Sequence, residues 1–397
     1  MHAATKKACA LACKHGMSKI IHTMALTEQD FRQVLTHLHN VFPEDLHIAR
    51  LLIHELQRAG SLEEARNKAL DTARRMVSLG KASSAAGFLE ICRQLEHEDV
   101  DEIEALSSLA RFTGDGGVGL EPDEDKTFLL LEQLSDQEVT DFLRQGRLSR
   151  VEKGVEVVHQ GDVENTFHLI LEGSTCVSME TATGHNIQLG SLEAGRFFGE
   201  VACVYNLPRS ATVTTTEPCL ILEFTSLAIS QLMQRSPLAG ESLMRIIQAR
   251  MISAMSHSHP ALEALPENDR QWLAEESLLL EFKDKDVIVR QSEMGDNWYI
   301  LVHGDANTCM FRVNGEVTTV PLKSGAIFGG LIPDIGLPPR TEVTAIGRCL
   351  VCHAPKEVFQ SFISVYDAFE RWVKSQGEER LNRWKHAVSE KSIKPSK

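Results

Sequence analysis

The chain has 397 residues and a formal net charge of −14, from 41 Lys and Arg against 55 Asp and Glu. That length holds two or three domains, and the acidic balance disfavours broad nucleic-acid binding, which needs clustered Lys and Arg. No apolar run approaches the ~20 residues that span a bilayer, and Ala8–Cys13 behind Lys6-Lys7 is too short an apolar stretch for a secretion signal.

Residues 1–112 show no strand-like alternation and read as an all-α helical-hairpin domain. Apolar periodicity predicts helices over Glu28–Asn40, Leu46–Ala59, Leu62–Leu79, Ala82–Leu95 and Glu102–Arg111. Gly60 and Gly80 separate neighbours, and Ser61 with Glu64 has capping-box spacing. Ile48–Val77 is similar to a tetratricopeptide-type hairpin, which implies a surface for a protein partner and is compatible with a homodimer. His37, His39, His47 and His54 fall on these helices as surface or core side chains. Met17 and Met24 are alternative starts. The nine cysteines, an odd number spread over predicted helices and strands, fit free thiols in a reducing, cytoplasmic compartment. Cys9 and Cys13 with His15, and Cys349 with Cys352, are each half a metal site at best, so no metal is expected.

Residues 113–125 are rich in Gly and acidic residues and poor in large apolar ones, the composition of a linker across which domains move. A helix is predicted over Phe128–Gln145, opening a domain at 126–258. Short β-rich runs then follow: Val155–Val158, Phe167–Leu171, Thr175–Met179, Asn186–Leu192, Thr212–Thr216 and Cys219–Phe224. Turn residues at Gln160-Gly161-Asp162, Gly173 and Thr183-Gly184 separate them. Ser226–Met255 reads as one helix anchored by Leu227, Leu232, Leu243, Ile246 and Ile247.

Between the fourth and fifth of these runs lies the most informative stretch, Phe198-Gly199-Glu200-Val201-Ala202 leading to Pro208-Arg209-Ser210-Ala211-Thr212. It resembles the phosphate-binding cassette of the cyclic nucleotide-binding domain family. The resemblance implies an α+β multidomain chain whose sheets are eight-stranded jelly-roll barrels with flanking helices. It also implies roles for residues. Gly199 lets the backbone approach a ribose, Glu200 accepts a hydrogen bond from the ribose 2′-hydroxyl, and Arg209 offers a planar fork to the two exocyclic oxygens of a cyclic phosphate. Val201 and Ala202 belong to a short helix whose N-terminal end faces the anion, and Ser210 and Ala211 are small enough to admit backbone N–H groups. In this family Ala after the Arg accompanies cAMP and Thr often accompanies cGMP. Ser210 is intermediate, but Arg-Ser-Ala and the preceding Pro208 resemble cAMP-binding members, so cAMP is favoured and cGMP is second.

The pattern recurs about 130 residues later. Val289–Glu293 parallels Val158–Asp162, Trp298–Gly304 parallels Phe167–Gly173, Phe328-Gly329-Gly330 parallels Phe198-Gly199-Glu200, and Arg340 parallels Arg209. Residues 259–397 therefore read as a second barrel. In its cassette Gly330 replaces the ribose-binding Glu, and Thr341-Glu342 replaces Ser210-Ala211. A carboxylate ~4 Å from a phosphate is opposed by about 4 kcal/mol at an effective dielectric near 20, so this copy is expected to be degenerate. Asp367–Ala387, with Trp372 and Trp384, reads as a terminal helix that packs on its own barrel and ends in a basic tail, Lys391, Lys394 and Lys397.

The sequence has no kinase signature set, Walker A loop or Gly-x-Ser-x-Gly elbow, and an enzyme is not expected. The expected function is a cyclic nucleotide sensor, needing no cofactor, that changes its contacts with a protein partner. The order of helical module, linker and tandem repeats also resembles regulatory subunits of cAMP-dependent kinases. Such subunits carry Arg-Arg-x-Ser or Arg-Arg-x-Ala in the linker, which 113–125 lacks. A scaffold that has lost nucleotide binding is the remaining alternative. A transcription factor of the catabolite activator type is disfavoured, because the residues past Val365 are too few for a helix-turn-helix.

Overall fold

The structure, a computed structural model, describes residues 26–113, 134–180, 184–259, 261–263, 265–290, 297–311, 317–329 and 341–392. The expectations for Cys9, Cys13, His15, Met17, Met24, residues 128–133, Thr183, residues 291–293, Gly330, Arg340, Lys394, Lys397 and most of the linker lie outside them. The chain forms two compact units, 1–243 and 244–397.

Among the described residues the first unit opens with five helices: α1 Glu28–Val41, α2 Leu46–Arg58, α3 Leu62–Ser78, α4 Ala82–Gln94 and α5 Val100–Thr113. Each buries one apolar stripe. On α1 it is Phe31, Val34, Leu35 and Leu38, and on α3 it is Met76 with Ala65, Ala69 and Ala73, three small side chains that let neighbouring helices approach closely. Helices α2, α3 and α4 end in the same double turn. Ser61, Lys81 and His97 donate backbone N–H groups to Leu56, Met76 and Cys92, at 2.9, 2.9 and 3.0 Å. The left-handed residue of that turn is Gly60 or Gly80 in the first two and Glu96 (φ 52°) in the third, so the third stop carries no glycine signal. The capping box expected at Ser61 does not form, since its side chain makes no cap hydrogen bond. Capping boxes form instead at Thr27 with Asp30 and at Ser135 with Glu138.

His39 on α1 is 7% exposed, its Nδ1 has no partner among the described residues, and burial pushes its pKa from 6.5 down to about 4. The unfolded chain therefore binds this proton more readily than the folded one. Stability is full above pH 6.5 and is lost as pH falls from 6.5 towards 4, by roughly 3 kcal/mol. His39→Leu is expected to flatten that part of the acid-unfolding curve in circular dichroism. An unchanged curve excludes His39 as a source of the acid sensitivity.

Helix α6 (Asp136–Leu143) leads into eight strands: β1 Arg147–Val151, β2 Glu156–Val158, β3 Thr166–Glu172, β4 Ser174–Glu180, β5 Asn186–Glu193, β6 Phe197–Phe198, β7 Thr212–Thr215 and β8 Cys219–Thr225. The expected closed jelly-roll barrel is not what they form. They make two open four-stranded sheets, ordered β1-β8-β3-β6 and β2-β7-β4-β5. Two features keep them open. The strands β2 and β6 are only three and two residues long. The strand pair that runs from one sheet towards the other is broken at Gly173 (φ 89°), where a Cβ would meet Pro218 O at 2.4 Å. Val158 and Val213 of one sheet share a buried cluster with Ile170, Phe198 and Ile221 of the other. The single helix expected over Ser226–Met255 is two, α8 Ser226–Arg235 and α9 Pro237–Ser258, because Pro237 cannot continue the ladder of α8.

Helices α1 and α2 hold the first repeat directly. Asp136 accepts from Arg50 Nε and Nη2, both at 3.0 Å, and lies 2.5 Å from His47 Nδ1. Arg144 pairs through both terminal nitrogens with Glu28, at 3.1 and 2.9 Å, and its guanidinium lies 4.1 Å from the centre of the Phe31 ring. At Gly195, in the turn before β6, a Cβ would stand 2.6 Å from Val41 Cγ1.

The second unit repeats the plan. Its elements are α10 Glu267–Glu276, β9 Leu278–Phe282, β10 Val287–Arg290, β11 Asn297–Phe311, β12 Val317–Lys323, β13 Ile327–Gly329, β14 Thr341–Pro355, α11 Lys356–Val365 and α12 Asp367–Ser392. Strand β11 does the work of β3 and β4, and β14 that of β7 and β8. The result is one open six-stranded sheet and not a barrel. The corner recurs: a Cβ on Gly304 would meet Arg348 O at 2.5 Å, and Cys349 Sγ–H points to Asp305 O as Cys219 Sγ–H points to Ser174 O. Phe359, Phe362, Phe369 and Trp298 form the core between helices and sheet.

Candidate nucleotide-binding site

Strand β6 delivers the cassette to the inner edge of its sheet by pairing Phe198 with His168 of β3. The two rings stack at 4.7 Å, 8° from parallel. Gly199 follows with φ 82°, and a Cβ there would lie 2.4 Å from Arg209 Nη1 and 2.6 Å from Thr166 O. Glycine is thus required by conformation and by space together. Glu200, 5% exposed, opens the six-residue helix α7 (Glu200–Tyr205). Val201, Ala202 and Cys203 are buried behind it. Asn206, at φ 51°, ends the helix and turns the chain towards Arg209.

Arg209 is fixed at the backbone: its N–H donates to Asp162 O and its carbonyl accepts from Gly161 N–H, both at 2.9 Å. Its side chain folds inward and is 3% exposed. Nη1 donates to Thr166 O at 2.8 Å and to Gly199 O at 3.1 Å, and Nη2 donates to Thr166 Oγ1 at 2.8 Å. Nε has no partner among the described residues. All three acceptors are neutral, and no carboxylate pairs with the guanidinium among those residues. Burial lowers its pKa, opposed by the more distant charge of Glu164 and the weaker influence of Glu200 and Glu223. A buried cation with no directly paired carboxylate is costly, and an anion entering the cassette would relieve that cost.

The structure thus brings together Phe198, Gly199, Glu200, Val201, Ala202 and Arg209. Ala211 is half-buried and Ser210 is exposed at the start of the return strand. Sequence reasoning missed three residues beneath the cassette. Thr166 holds the arginine, and His168 pairs with Glu223 at 3.3 Å, both side chains largely buried. Each of the pair is polar within an apolar strand, but only the β3–β8 register sets them opposite each other. In the second repeat Gly329 keeps the close approach, with a Cβ 2.5 Å from Asn297 O and 2.7 Å from the Tyr299 ring. Tyr299 stacks on Phe328 at 5.5 Å, as His168 does on Phe198. Glu342 lies in β14 opposite Arg290. Cys349 and Cys352 are fully buried, and burial pushes the Cys352 thiol up to about 11. Among the described residues no group of side chains could hold a metal.

The sequence model of the cyclic nucleotide-binding domain family matches residues 148–236 and 279–366, the two stretches that fold alike. Each of the two stretches is similar to a cyclic nucleotide-binding domain. It is 28% identical over 231 residues to a cAMP-dependent protein kinase regulatory subunit of Blastocladiella emersonii, covering 58% of this chain and 55% of that one. A regulatory subunit of Mucor circinelloides f. lusitanicus is 26% identical, covering 61% and 54%. The chain spans about half the length of the curated relatives it matches. Among solved structures, the regulatory domain of Toxoplasma gondii PKA with cAMP is 22% identical at a TM-score of 0.30, covering 63% of this chain and 92% of that one. The catabolite activator protein of Thermus thermophilus is 24% identical at 0.29, covering 32% and 59%. Among the described residues no helix is long and apolar enough to cross a membrane.

Proposed function

We propose that the chain is a non-enzymatic regulatory protein of the kind represented by cAMP-dependent kinase regulatory subunits, and that its first repeat binds a cyclic mononucleotide, cAMP in preference to cGMP. The observation that carries the reading is the buried guanidinium of Arg209, hydrogen-bonded to neutral acceptors and, among the described residues, paired with no carboxylate. A cyclic phosphate supplies the missing anion, and Glu200 at the head of α7 takes the ribose 2′-hydroxyl. Ligand binding shifts the helices that follow the sheets, beginning with α8, between two arrangements; the size of the shift is limited by the ligand's differential affinity for them. The second repeat, with Gly330 in place of the ribose-binding Glu and Glu342 in place of Ala211, is silent.

The output is a change in contact with a protein partner through α1–α5. These helices grip α6 and the Gly195 turn that leads into the cassette. Residues 113–125 contain no Arg, so the stretch has no basic pseudosubstrate. The assignment of Glu200 is tested with cAMP and its 2′-deoxy analogue. Wild type is expected to prefer cAMP, and Glu200→Ala to bind the two alike. Equal binding of both by wild type would contradict this role for Glu200.

A further inference from the structure

We infer that Thr166 is a positioning residue for the anion site, holding the Arg209 fork so that one edge of it is kept for the ligand. This rests on the proposed nucleotide site. A guanidinium has two edges with parallel donors, one formed by Nη1 and Nη2 and the other by Nε and Nη2. In this chain Thr166 takes the first edge as a single two-pronged acceptor. Its carbonyl accepts from Nη1 and its hydroxyl from Nη2, each at 2.8 Å. Gly199 O takes the other Nη1 proton at 3.1 Å.

What remains is the second edge. Nε–H has no partner among the described residues, although the atom is buried, and Nη2 has a second N–H beyond the one given to Thr166. That pair matches two oxygens of a phosphate. The acceptors on Thr166 are neutral, so they orient the fork and leave its charge to the anion; a carboxylate in their place would neutralise it. The same residue faces Thr225 across the β3–β8 pair, and Thr225 Oγ1 caps α8 by accepting from Ala228 N–H at 3.3 Å. The residue that aims the arginine is therefore one strand away from the first helix after the sheets.

The test is a pair of substitutions in the full chain. Thr166→Val keeps the shape and the carbonyl and removes the hydroxyl; Thr166→Ser keeps the hydroxyl. Thr166→Val is expected to weaken cAMP binding about 10-fold or more and to blunt the discrimination between the two phosphorothioate diastereomers of cAMP, while Thr166→Ser binds within a few-fold of wild type. A ligand-independent arm is a double-mutant cycle with Arg209→Met, read by thermal denaturation. Thr166→Val should lower the Tm of the wild-type background and have much less effect beside Arg209→Met. If wild type binds no cyclic nucleotide, the proposed function fails and this cycle alone decides. Additive effects on Tm, or Thr166→Val binding with unchanged affinity and discrimination, would overturn the inference.

Discussion

Replacing Arg209 by Lys is expected to weaken cyclic nucleotide binding on the order of 2–4 kcal/mol while leaving the chain folded. The proposed site uses both edges of a planar cation. One edge and a further N–H are engaged by Thr166 and Gly199, and the other is kept for the phosphate. A lysine ammonium has three donors on a single nitrogen. It cannot satisfy these carbonyls and also present two parallel N–H groups to two phosphate oxygens. With the site desolvated, the loss cannot be recovered through water. Titration of the variant with cAMP, beside a thermal melt to show that it is folded, reads the effect directly. Binding as tight as wild type's in a folded variant would mean that the phosphate does not use this arginine.

Gly199→Ala should combine a loss of binding with a loss of stability, which separates it from other glycine substitutions in the same repeat. Alanine at φ 82° costs about 1–2 kcal/mol from backbone strain alone. The added Cβ would also lie 2.6 Å from Thr166 O, a backbone atom at the start of β3, and 2.4 Å from Arg209 Nη1. One of the partners must move, and either movement dislodges the arginine. The total is expected at roughly 2–4 kcal/mol of destabilisation with cAMP binding abolished. Gly154 is the control: its φ is 81° and nothing lies within 4 Å of its Cβ position, so Gly154→Ala carries the strain without the collision and keeps binding. Equal melting temperatures for the two variants, with binding intact in both, would contradict the packing described for Gly199.

The helices were legible because their apolar stripes recur at helical spacing and because Gly60 and Gly80 mark two of the stops. The third stop at Glu96 was not marked, since a non-glycine residue takes the left-handed turn there. The cap assigned to Ser61 failed although its spacing was right: its φ and ψ of −84° and 59° leave the extended region in which the hydroxyl reaches back to the helix. Strand β1, Arg147-Leu-Ser-Arg-Val, went unnoticed because its residues are exposed or half-buried and show no clean alternation. The break before Pro237 was in plain view and was overridden by the apolar periodicity on either side.

The cassette was readable as a motif, and its recurrence aligned the two repeats in the sequence. The openness of the sheets was not readable, because it depends on how short β2 and β6 are and on corners at Gly173 and Gly304 that set the direction of whole strands. Nor was Thr166 readable. It contributes a backbone carbonyl as much as a side chain, and a carbonyl has no signature in a sequence. His168 and Glu223 were each visible as a polar residue in an apolar run, yet their pairing needed the strand register.

The central claim is one live anion site in the first repeat, and isothermal titration calorimetry of the full chain with cAMP and cGMP in parallel tests it most directly. The expected result is a stoichiometry near one with micromolar or tighter cAMP binding, weaker binding of cGMP, and loss of the signal in Arg209→Lys. A stoichiometry near two would show that the second repeat is live, and the absence of heat and of any thermal shift with either nucleotide would contradict the site itself.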